Sequence, residues 1–184
     1  MKSLRLLLLL TLGYFTCAAH AQDTNQLKTQ LGVFETKTGV VLVKGYEHIG
    51  NLNAADVISV GIKESTDVSN GHKVYGLTIG LTGSGEGRER IYVDDEEVDA
   101  LLAGIYYLIK IDYDVTTLPS FEASFATKSG LRICAHSLRR EGGIQPYLQY
   151  CDRPKIALTS MQMNELYELI ETAKKHLDAL KAAK

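Results

Sequence analysis

Two stretches of the chain carry apolar residues at helical spacing, and most of the remainder alternates apolar with polar positions. In the first helical stretch, residues 94–110, the apolar stripe is Val98, Leu101, Leu102, Ile105, Leu108 and Ile109. In the second, residues 159–180, it is Met163, Leu166, Tyr167, Ile170, Ala173, Leu177 and Leu180. Spacing of i, i+3, i+4, i+7 predicts one buried face on each helix. Asp94 and Thr159 stand at the N-cap positions, with Glu97 and Gln162 three residues later to complete capping boxes. Val93 with Val98, and Leu158 with Met163, make hydrophobic staples over the same turns. Box and staple recur at an offset of 65 residues, which reads as an internal duplication.

Strands are predicted before each helix. In the front half these are Val33–Glu35, Val40–Tyr46, Val57–Glu64, Lys73–Leu81 and Arg90–Val93, with Asn70-Gly71 as a turn signal. In the back half they are Phe121–Thr127, Leu131–Leu138, Tyr147–Cys151 and Lys155–Leu158. Each half is thus about four strands and one helix, and short connections favour antiparallel pairing. The expected class is α+β: two β-β-β-β-α units, residues 22–116 and 117–184, with mostly antiparallel sheets, each packed by an amphipathic helix. Asp112 to Pro119 is the predicted joint, and the two units are expected to pack as one domain.

The second unit supplies a resemblance. Gly130-Leu131-Arg132-Ile133 opens a strand, and Lys155-Ile156-Ala157-Leu158-Thr159 leads into the last helix. Over residues 121–180 this order resembles the four-strand-plus-helix unit of single-strand-binding coactivator and Whirly-type folds. The resemblance implies contact with unpaired nucleic acid across a sheet. Charge points the other way. Residues 22–116 hold 8 Lys/Arg against 15 Asp/Glu, residues 117–184 hold 10 against 7, and no dense basic stripe runs through either.

The first twenty-one residues change the expected compartment. A basic head, an apolar run from Leu6 to Leu10, and the exit Ala19-His20-Ala21 predict a signal peptide cleaved after Ala21. The apolar run is too short to span a hydrocarbon core about 30 Å thick. Cys17, a conceivable lipid acceptor, follows Thr16, where such sites want a small residue. A secreted or periplasmic protein is the expectation.

Export makes the two remaining cysteines a candidate bridge. If Gly142-Gly143 forms a two-residue hairpin turn, paired residue numbers sum to 285 and Cys134 faces Cys151. That pair would be non-hydrogen-bonded, with Cα atoms about 4.5 Å apart, a span a disulfide tolerates. Pro146 objects, because the same register gives it a hydrogen-bonded site without an N–H. The alternative is a metal held by Cys134, His136 and Cys151 from one strand face.

Other chemistry is sparse. Thr82-Gly83-Ser84-Gly85-Glu86-Gly87 looks like a phosphate cradle but lies between strands, without the helix or lysine such loops use, and reads as a hairpin connection. Asp94, Asp95, Glu96, Glu97 and Asp99 lack the spacing of a calcium loop and suit the positive end of a helix. Neither an HExxH nor a Gly-x-Ser-x-Gly motif occurs. The candidate binding surface is His136, Arg139, Arg140, Tyr147 and Gln149 around the back hairpin, with a plain solvated face as the alternative. No cofactor and no metal are implied. The expected function is a binding or interaction module for a protein partner or a second copy. An extracytoplasmic hydrolase using His136, Asp94 or Asp95, and a single-strand nucleic-acid binder, are the alternatives.

Overall fold

The structure is a computed structural model that describes residues 28–82, 88–138 and 142–183. The leader with Cys17, the glycine-rich residues 83–87, and Arg139 and Arg140 lie outside the described residues.

Among the described residues a short helix α1 (Gln30–Phe34) comes first, where the sequence reading expected a strand at Val33–Glu35. Thr29 explains the difference: its hydroxyl accepts from Gly32 N–H at 3.0 Å and caps the turn, while Leu31 and Phe34 on one side are buried. Four antiparallel strands follow in the order β1 (Leu42–Asn53), β2 (Val57–Asp67), β3 (Lys73–Thr82) and β4 (Arg88–Asp94). Helix α2 (Val98–Lys110) then leads through a 3-10 turn at Tyr113–Val115 to the second sheet. Its strands are β5 (Ser120–Ala126), β6 (Leu131–Leu138), β7 (Ile144–Tyr150) and the short β8 (Ile156–Ala157), again antiparallel and in sequence order. Helix α3 (Ser160–Ala182) ends the fold. This is an α+β protein with two four-strand units. Both capping boxes form, Thr159 and Gln162 through bonds of 2.8 and 3.1 Å.

The helices do not each cover their own sheet. Helix α3 lies chiefly on β1, β2 and β3 of the first sheet, whereas α2 lies on β5 and β6 of the second. Polar contacts follow the same exchange. Gln162 Nε2 donates to the Asn53 carbonyl at 2.7 Å, and His176 Nδ1 meets the Glu47 carboxylate at 2.8 Å. On the other side Gly104 of α2 lets the Phe125 ring approach so closely that a Cβ there would stand 2.4 Å from it. The helices also pack on each other. One cluster of buried residues therefore runs from Ile58, Val60, Leu77 and Ile79 through Leu166, Ile170, Leu101 and Ile105 to Leu131, Ile133 and Leu148.

The back hairpin adopts a different register from the one that Gly142-Gly143 suggested. Ser137 faces Ile144, so paired numbers sum to 281, and Cys134 faces Tyr147 instead of Cys151. Cys134 and Cys151 are not joined in a disulfide, and Cys134 is fully buried. Pro146 supplies the physical reason. Its carbonyl accepts from Leu158 N–H at 2.9 Å, so its nitrogen also points toward β8 and breaks no bond to β6. Cys151 lies beyond the last pair, at φ 50, where the left-handed backbone ends the strand. Among the described residues no group of three His, Cys, Asp or Glu side chains is placed to hold a metal, so the set Cys134, His136 and Cys151 is not assembled. Also among the described residues, no helix is long and apolar enough to cross a membrane.

Candidate functional site

Side chains that point away from the helices decide what each sheet can do. On the first sheet the pairing puts Ser59, Gly61 and Lys63 of β2 beside Gly80, Thr78 and Gly76 of β3. They face outward, because the alternate residues Ile58, Val60, Ile62, Leu77, Ile79 and Leu81 fill the core. The edge strands carry taller outward groups: Tyr46, His48 and Asn51 on β1, and Tyr92 and Arg90 on β4. Small residues along the middle and large ones at both sides make a trough. Its open part has a volume of about 370 Å³ and is lined by Tyr46, His48, Asn51, Ser59, Thr78 and Arg90, with Gly61 and Gly80 in the floor. Glycine is required at 61: a Cβ would stand 2.7 Å from the Glu47 carbonyl oxygen and 3.1 Å from Thr78 Oγ1. The β1 register shifts between His48 and Gly50, immediately beside this point.

One end of the trough is closed. Helix α1 lies over the outer face there, with Leu31 against Gly76, held by Asp94, whose carboxylate accepts from Gln30 N–H at 2.8 Å and Leu31 N–H at 3.2 Å. Beneath its end Lys63 is only 1% exposed. A buried ammonium costs several kcal/mol unless it is paired and hydrogen-bonded. Lys63 is both: Nζ forms an ion pair with Glu35 and donates to Tyr92 Oη at 2.8 Å. It also sits over the rings of Tyr92, 4.4 Å from the centroid, and Tyr46, 5.0 Å. Ser65 Oγ and Lys44 Nζ donate to the same carboxylate at 2.6 and 3.0 Å. Burial pushes the Glu35 carboxyl up, but Lys63, Ser65 and Lys44 outweigh it and hold the group below the usual range. Burial likewise pushes the Lys63 ammonium down, and Glu35 and Tyr92 more than reverse this, so it stays charged. Arg90 forms the side wall next to this network, its guanidinium 4.9 Å from the Tyr46 centroid.

The outer face of the second sheet is built from different residues. His136 faces Gln145 and Glu122, Tyr147 faces Cys134, and Gln149 faces Arg132. Tyr147 is buried, with Lys155 Nζ 4.1 Å above its ring. Arg132 reaches Glu122 at 3.4 Å and Ser124 at 3.2 Å, and Gln149 Nε2 donates to the Arg153 carbonyl at 3.1 Å. Burial, with hydrogen bonds to Cys134 and Glu122, pushes the Tyr147 phenol up. Burial also pushes the Cys134 thiol up, against a hydrogen bond from Tyr147. His136, Tyr147 and Gln149 thus share a face, and Tyr147 and Gln149 are spent on their neighbours. Arg139 and Arg140 lie outside the described residues.

The acidic group at Asp94–Glu97 is likewise occupied. Asp94 holds α1, Lys128 pairs with Glu96, and Lys181 pairs with Asp95. Sequence reasoning missed the trough. Its signals were a lysine inside an apolar strand and glycines on alternate positions of β3, Gly76 and Gly80, facing Gly61 and Lys63 of β2. No protein-family model and no curated protein sequence matches this chain.

Proposed function

We propose that the protein is a binding module whose trough on the outer face of the first sheet receives a small polar ligand. One observation carries this reading: a row of Ser59, Gly61, Thr78 and Gly80 is sunk between Tyr46, His48 and Asn51 on one side and Arg90 on the other. Cross-strand hydrogen bonds hold that floor, and sites on strands keep their geometry better than sites on loops. The volume stands at the small end of ligand pockets. The leader Met1–Ala21 supports a place outside the cytosol for this activity. Screening a library of small polar compounds by amide chemical shifts tests the reading. Shifts are expected at Asn51, Gly61, Thr78 and Gly80. Hits that cluster instead at His136, Gln145 and Gln149 would move the site to the other sheet.

A further inference from the structure

We infer that the trough takes an acidic sugar, with the ligand carboxylate at Arg90, an inference that rests on reading the trough as the binding site. The floor sets the class. Main-chain groups of β2 and β3 are committed to the ladders on both sides, so the floor offers a ligand no free backbone groups, and the unpaired edges of the sheet are the outer sides of β1 and β4. An extended peptide would find no backbone partners of the kind that strand addition uses. What faces the ligand is the hydroxyls of Ser59 and Thr78, the Asn51 amide and the His48 imidazole. That set suits a ligand with many hydroxyls. Gly61 and Gly80 leave the floor without side chains, so a saturated ring can lie flat on the sheet.

Charge then chooses among sugars. Arg90 is a full positive charge in the wall, and Lys63 stands behind the Tyr46 ring at the closed end. Among the described residues that line the trough, Glu47 carries a carboxylate, and its Oε1 is held by His176 of α3 at 2.8 Å. The guanidinium fork matches a carboxylate in two parallel bonds. A bare inorganic anion would leave the hydroxyl and amide groups of the trough unused.

The probes are a galacturonic acid trimer, its neutral counterpart galactotriose, and the tripeptide Gly-Ser-Gly, titrated into the protein and followed by amide shifts. The acidic trimer is expected to shift Asn51, Gly61, Thr78 and Gly80 and to bind about tenfold or more tightly than the neutral one. Arg90→Gln is expected to remove that preference and keep the melting temperature, and Arg90→Lys to restore part of it. Equal affinity for both trimers at these residues would overturn the acidic assignment and leave the trough standing. A tripeptide that binds as tightly as the sugar acid would overturn the sugar assignment. Shifts on the second sheet would overturn both readings. No shift with any probe overturns this inference, and the small-molecule screen then decides the trough.

Discussion

The outer faces of the two sheets share strand order, antiparallel pairing and a helical layer behind them, yet one is hollow and the other is filled. At the centre of the first face stand Ser59, Gly61, Thr78 and Gly80, whereas the matching centre of the second carries Cys134, Tyr147, Arg132 and Gln149. Backbone topology therefore does not make the trough. The size of outward side chains on the two middle strands does, with α1 and the Lys63–Glu35 pair closing one end.

The largest expected effect separates the two faces by their ion pairs. Glu35→Ala leaves Lys63 buried without its counter-charge and should cost about 3–5 kcal/mol in urea unfolding. Glu122→Ala on the second face removes exposed partners of Arg132 and Lys155 and should cost about 1 kcal/mol or less. The pH profile sharpens the contrast. Because Glu35 is held below its ordinary value, its contribution is present above about pH 4.3 and is lost as pH falls through the folded value. Lys63 is raised, so its contribution is present below about pH 10.4 and is lost as pH rises through its folded value. Glu35→Gln should flatten the acid limb, and an unchanged limb would show that Glu35 is not paired.

Core truncation comes next. Ile170→Ala in α3 and Ile105→Ala in α2 should each cost about 2–5 kcal/mol. Each should lower both sheets together in one transition, since one buried cluster includes both helices. Two separate transitions by hydrogen exchange would break the picture of a shared core. Gly104→Ala is a finer test. Helix propensity alone favours alanine by about 1 kcal/mol. Contact with the Phe125 ring should reverse the sign, and thermal melting reads it. The smallest effect is chemical. Unreduced protein without residues 1–21, which carry Cys17, should titrate two thiols, Cys151 ahead of the buried Cys134, and a value of zero would restore the bridge.

What could be read from the chain was local. Asp94 with Glu97 and Thr159 with Gln162 announce helix starts within four residues, and the stripes on both helices follow from spacing alone. A stripe states that a face is apolar but not which sheet it meets, so the exchange of α2 and α3 was hidden. The hairpin register was misread because Gly142-Gly143 is a strong turn signal, while Pro146 carried the opposing information. The trough escaped notice because serine, threonine and glycine on alternate positions look like any wet strand. Only packing shows that their neighbours rise above them.

The crossed helices bear on how the protein must be made. A chain severed between Ile111 and Pro119 would give an amino-terminal piece that lacks α3, the helix lying on its sheet, and a carboxy-terminal piece that lacks α2. Neither fragment could hide its greasy strand face alone, whereas the two mixed together could reassemble the whole. The two repeated sheet units thus depend on each other's helices across the segment that joins them.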